Sequence, residues 1–255
     1  MFNTGNAWID RAQAAAAHLG LSLAVSALAA ALVFFIWYPY PYREISGGRE
    51  LFFLVVAVDV VLGPLLTFAI FNRAKPWKTL QRDLAVIVVL QVAALFYGLW
   101  TVAVARPVHL VFEYHRFRPI HAIELETSQL AKAPAEMRNP PWTGPTLIGL
   151  RSPQEQEKLE TVMAAAAGVH EALQPQLWQP YTQSRAQVIK EGKQISELRK
   201  RFAQQGALID KAVAQSGRTE SQLLWLPMYG RKDFWTAIVD AQTAQPLAYL
   251  PLDSF

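Results

Sequence analysis

Between Arg11 and Arg43 the sequence carries no charged side chain. The apolar part of that interval, His18–Trp37, is 20 residues long. A second stretch, Leu51–Phe71 (LFFLVVAVDVVLGPLLTFAIF), has 21 residues and one charge, Asp59. A third, Leu84–Ala105, has 22 residues and none. At ~1.5 Å of rise per residue each stretch reaches about 30 Å, the thickness of a bilayer's hydrocarbon core. All three are apolar around the whole circumference, a pattern that lipid demands and a water-facing helix does not. The reading is three transmembrane helices over about 18–37, 51–71 and 84–105. The first is expected to be a retained anchor and not a cleaved signal. Its flank is weakly basic, and its apolar run continues through Leu32, Val33, Phe34, Phe35 and Ile36.

Charge in the short loops sets the expected orientation. Residues 72–83 carry Arg73, Lys75, Lys78 and Arg82, whereas 38–50 carry Arg43 and Arg49 beside two glutamates. The more basic loop belongs in the cytoplasm, which puts the N-terminus there and everything after Arg106 on the far side. Trp8 and Trp77 then fall at one interface, and Trp37, Tyr38, Tyr40 and Trp100 at the other. The formal charge of +4 sits mostly in the anchor, with eight basic and five acidic residues up to Arg106 against sixteen and fifteen beyond it. The basic balance therefore follows topology, and no Arg/Lys stripe supports nucleic-acid binding. With no cysteine in the chain, thiol catalysis, cysteine zinc sites and disulfides are excluded.

Residues 107–255 are the size of one compact domain. Val108, Leu110, Phe112 and Tyr114 alternate with His109, Glu113 and His115, which predicts a strand with one buried and one wet face. Pro119 predicts a break, with a second strand over Ile120–Leu125. Prolines and glycine punctuate 126–145 as a loop. Ser152, Pro153 and Glu155 predict a capped helix reaching about Ala172. The polar stretch 184–215 reads as two amphipathic helices meeting near Gly206, and 223–252 as an antiparallel meander. The expected architecture is a membrane-anchored α+β protein. Residues 1–106 form a three-helix anchor, and 107–255 form a domain with an antiparallel sheet and two to three helices.

Asp59 is the sharpest single position. It lies ~12 Å inside its apolar stretch, where an ionised carboxylate costs about 2.5–3.5 kcal/mol. It should be protonated, or face the bundle or an incoming helix. Tyr97 falls at the same depth on the third stretch and is the expected hydrogen-bond partner. Gly63–Pro64 predicts a mid-helix kink, and Ser22, Ser26 and Ala30 form a small-residue stripe for close helix approach. Ser46, Gly47 and Gly48 predict a tight turn between two membrane helices, with Tyr42 and Arg43 free to touch the following domain or a partner. His109, His115 and His121 recur every six residues but do not make a convincing metal set. No nucleophile elbow, HExxH or carboxylate pair points to catalysis.

The stretches YPYPYREISGG (38–48), LFFLVVAVDVVLGPLLT (51–67), RDLAVIVVLQVAALFYGLW (82–100) and ARPVHLVFEYHRF (105–117), and more loosely PMYGRKDFWTAIVD (227–240), resemble the TfpX/TfpZ family of type IV pilin accessory proteins. The resemblance implies a non-enzymatic, chaperone-like protein of the bacterial inner membrane that binds the type IV major pilin. The loop charges make the C-terminal domain periplasmic in that setting, and no cofactor is expected. Candidate partner-binding residues are then Asp59, Gly63, Pro64, Tyr97, Tyr42, Arg43, Ser46, Gly47 and Gly48. The competing readings are a membrane enzyme that modifies pilin or a lipid-linked substrate, and a periplasmic sensor or transporter subunit.

Overall fold

The computed structural model describes residues 4–255, so the first three residues of the expected 1–106 anchor lie outside the described residues. Two compact units form. One takes the chain up to Pro39 and again from Gly48 to Ala105; the other takes 40–47 and Arg106–Phe255.

Among the described residues of the first unit three helices are long and apolar enough to cross a membrane: Ala7–Trp37, Gly48–Ile70 and Trp77–Val104. Leu28, Phe35, Leu54, Val89 and Phe96 are exposed on them, an arrangement that suits lipid as the solvent. The first and third helices each pack chiefly on the second. Gly98 permits close approach of the third, since a Cβ there would fall 2.4 Å from Val55 Cγ1. Ala29, Val33, Tyr38, Phe52 and Val102 form a buried cluster, where the Tyr38 hydroxyl donates to the Val102 carbonyl at 3.1 Å. Toward the opposite end Arg11 Nε donates to the Phe71 carbonyl at 3.0 Å, and Arg73 pairs with Asp10 at 3.3 Å. Leu32–Trp37 and Val58–Leu62 wind as π-helix. The second of these turns immediately precedes Gly63–Pro64. The missing proline N–H is thus accommodated by local rewinding of the ladder.

The second unit holds β1 (Pro107–Glu113), β2 (Arg116–His121), β3 (Thr146–Leu150), β4 (Trp178–Pro180), β5 (Lys193–Gln194), β6 (Leu223–Tyr229), β7 (Phe234–Asp240) and β8 (Pro246–Leu250). They make one sheet in the order β4-β3-β1-β2-β6-β7-β8, with β5 also on β6. The sheet is mixed and not antiparallel as expected: β1 runs parallel to β3, and β2 to β6. Local alternation identifies strands but carries no information about the direction of a distant neighbour. All of β1 is buried, which corrects the expected wet face. Val108 and Val111 pack in a cluster with Ala133, Met137 and Trp178, while Leu110 and Phe112 pack in another with Tyr181 and Leu226. Pro119 does not end its strand; it sits inside β2 opposite Leu110. The far side of β2 meets β6 only at Phe117↔Met228, so a missing N–H breaks no long ladder there.

The helix expected from Ser152 is only Lys158–Ala166. Arg151 grips Glu157 through two bonds of 2.7 and 2.6 Å. Glu157 also accepts the Gln154 N–H at 2.8 Å, so the intervening residues form a turn. The Arg151 guanidinium holds the Glu157 carboxyl down to about 2. The polar stretch forms three helices and not two: Tyr181–Glu191, Ile195–Arg201 and Gly206–Ser216. Val188, Ile195, Leu198 and Ile209 are their buried anchors. The expected antiparallel meander closes the chain, with β6, β7 and β8 antiparallel in succession.

Candidate functional site

Asp59 stands at the middle of its 23-residue span. It belongs to the π-helical turn before Pro64 and is only 7% exposed. It borders a cavity of ≈ 110 Å³ whose other polar residues are His18, Ser22 and Gln91. The walls are Leu21, Val25, Val88, Val92 and Leu95, contributed by the first and third helices. Leu21, Val88 and Val92 are exposed on the bundle surface, so the cavity opens sideways. The result is a lateral groove with apolar walls and a polar floor. Such a groove follows from two helices that pack on a third more than on each other.

The side chains of Gln91 and His18 bond atoms other than the Asp59 carboxylate. Pro64 offers no N–H to the preceding turn, and Gln91 Nε2 fills the gap by donating to the Asp59 backbone carbonyl at 3.1 Å. Gly63 makes room for this: a Cβ there would lie 1.9 Å from Gln91 Nε2. His18 Nδ1 shares a 2.5 Å hydrogen bond with Thr67 Oγ1. Among the described residues Asp59 Oδ1 has no hydrogen-bond partner and is buried.

Asp59, Gly63 and Pro64 are therefore brought together, but Tyr97 is not. Its side chain is 70% exposed and its ring lies 6.0 Å from Trp100. Matching depth on two helices fixes the level of a residue but not its rotation about the axis, and rotation points Tyr97 away. Gln91 takes its place as the polar contact of that turn. Gln91 and Thr67 lie in plain view as uncharged polar residues inside apolar stretches, the one signal that marks them. His18 carries the same mark at the edge of the first stretch.

The remaining candidates fall in the 40–47 segment, which belongs to the second unit. Tyr42 and Ile45 are core residues there, in one cluster with Phe117, Leu226 and Met228. The Tyr42 ring sits 6.4 Å from Tyr249; burial, reinforced by Tyr249, pushes its hydroxyl well above the ordinary tyrosine range. The Ile45 carbonyl accepts the Arg231 N–H at 2.8 Å. Arg43 lies over Tyr40 at 5.5 Å. Ser46 Oγ is buried without a hydrogen-bond partner among the described residues. Gly47 turns at φ +71° beside Arg231, a conformation that favours glycine. Gly48 begins the second membrane helix, where a Cβ would strike the Tyr38 ring at 2.3 Å.

The histidines are placed separately. His109 Nδ1 shares a 2.6 Å hydrogen bond with Thr146 Oγ1, and burial lowers its imidazole to about 4. His121 Nδ1 bonds Glu124 at 2.8 Å, and His115 stands in the β1–β2 turn. Among the described residues no group of three or more histidines and carboxylates is arranged to hold a metal ion.

These features define a membrane-anchored α+β protein with a polar-floored groove between its apolar helices. The profile of a family described as "Fimbrial assembly protein FimB" matches residues 6–47, which span the first membrane helix and the 40–47 segment. A fimbrial assembly protein of serogroup I from Dichelobacter nodosus is 34% identical over 226 residues, 88% of each chain. Its serogroup E1 counterpart is 32% identical over 226 residues, again 88% of each. A third, of serogroups C1 and C2, is 42% identical over 116 residues, 46% of this chain and 88% of that one. No solved structure matches the chain. The chain belongs to the fimbrial assembly protein family.

Proposed function

We propose that this protein is an assembly factor for type IV fimbriae that holds the major pilin's apolar helix in its intramembrane groove until the subunit enters the filament. The observation that carries this reading is the lateral cavity between the first and third membrane helices, with Asp59 at its floor. The family's role in fimbrial assembly and the TfpX/TfpZ resemblance support the choice of partner. The protein resides in the bacterial inner membrane, its N-terminus cytoplasmic and its C-terminal domain periplasmic, as the distribution of Lys and Arg in the loops supports. The action is chaperone-like: apolar surface of the waiting subunit is buried and later released, so the interface is modest and transient. No group transfer takes part.

Deletion tests this directly. Loss of the gene should lower surface fimbriae while the pilin's intact mass stays the same. A modification that vanishes on deletion would transfer the function to the enzyme reading. Unchanged fimbriation would remove the assembly role.

A further inference from the structure

We infer that the groove recognises a positively charged group, an ammonium or guanidinium, carried at mid-depth by an otherwise apolar helix. Asp59 Oδ1 is the buried acceptor without a partner at the cavity, and its residue is more than nine-tenths buried. Gln91 Nε2 donates to the Asp59 main-chain carbonyl, and His18 Nδ1 shares its hydrogen bond with Thr67 Oγ1. Neither of these groups, nor the Ser22 hydroxyl that also lines the cavity, bonds Oδ1, and the cavity's sideways opening between exposed Leu21 and Val88 gives a donor on a visiting helix an entrance.

Charge selects among possible donors. A serine or threonine on a visiting helix satisfies its hydroxyl on its own backbone carbonyl one turn back. It therefore gains little from Asp59. A cation has no such internal partner in lipid, and an isolated carboxylate at the same depth is equally costly. Each relieves the other, and the pair forms only when both helices are aligned in depth. The groove thus sets register as well as affinity: apolar walls accept any helix, and Asp59 accepts one with its charge at the level of the floor.

The inference rests on the proposal that a helix docks in this groove, and a defined probe separates the two. The purified full chain is placed in phosphatidylethanolamine/phosphatidylglycerol vesicles with a synthetic leucine/alanine helix bearing one central lysine. Matched helices carry glutamine or leucine at that position. Association is read by energy transfer. The lysine helix should bind about tenfold more tightly than the leucine helix, the scale of one good interhelical polar contact. The advantage should disappear in Asp59→Asn and persist in Asp59→Glu. Equal binding of the three helices overturns the inference, as does a glutamine helix that matches lysine or a lysine advantage undiminished in Asp59→Asn. Should Asp59→Asn fail to fold, the three helices compared on the wild-type chain still decide. Failure to capture pilin in cells would defeat the docking proposal while leaving the vesicle result intact.

Discussion

Gly63 and Gln91 should be strongly coupled in a double-mutant cycle. Gly63 has ordinary helical angles, φ −60° and ψ −57°, so replacing it with alanine would by itself favour the helix by about 0.5–1 kcal/mol. The structure opposes that gain, because the new Cβ would lie 1.9 Å from Gln91 Nε2 and 2.7 Å from its Cδ. Gln91 must then withdraw, and the Asp59 carbonyl loses its 3.1 Å hydrogen bond. Pro64 cannot supply a replacement. A buried carbonyl left without a donor costs about 1–3 kcal/mol, partly offset by the helix propensity of alanine. Gly63→Ala should therefore destabilise the wild-type chain by about 1 kcal/mol net. In the Gln91→Ala background the obstacle is gone and the carbonyl is already unpaired, so the same substitution should be neutral or stabilising by about 0.5 kcal/mol. Reversible unfolding in mixed detergent micelles measures all four corners. Equal effects of Gly63→Ala in the two backgrounds would falsify the role given to Gln91.

His109 makes the domain acid-sensitive. Burial lowers its imidazole from the usual 6.5 to about 4 in the folded chain. The unfolded state therefore takes up the proton first as pH falls. The stability that neutral His109 contributes is whole above pH 6.5 and drains away between 6.5 and about 4, by about 3 kcal/mol in all. In His109→Gln that part of the pH slope should vanish; an unchanged slope between pH 7 and 4.5 would contradict the assignment. Tyr42→Ala should cost about 3 kcal/mol, the usual scale for emptying a buried aromatic site, and should open residues 40–47 to protease. Tyr42→Phe, which keeps the buried ring and removes only the hydroxyl, should cost far less than the alanine change and leave the segment protected.

Much of this architecture could be read from residue order alone, and the parts that could not share a physical cause. Length and apolarity sufficed for three membrane helices because lipid imposes one requirement on every side chain. The closing meander was legible because its strands pair with sequence neighbours through short turns such as Gly230–Asp233. Strand direction around β1, β3 and β6 was not, since those pairings cross long connections that leave no local mark. Burial of His109 and Glu113 was equally hidden, because a covered second face is a property of what lies above it. The helix start at Ser152 failed for a different reason. Arg151 outcompetes the cap by seizing Glu157, a contact that only the folded turn creates. At the candidate site Asp59 announces itself by its cost in lipid, and Gly63 and Pro64 by interrupting an apolar helix. Their true neighbour is Gln91 and not Tyr97, because helix rotation is set by packing and not by depth.

Site-specific photocrosslinking in living cells tests the central claim most directly. A photoreactive residue is placed at Val88 or Val92, which line the groove, and separately at Phe53, exposed on the second membrane helix and absent from the cavity lining. Pilin should be captured from the two groove positions and not from Phe53, with the adduct identified by mass. Capture with equal efficiency from all three, or lipid as the sole adduct at Val88 and Val92, would contradict a helix-receiving groove.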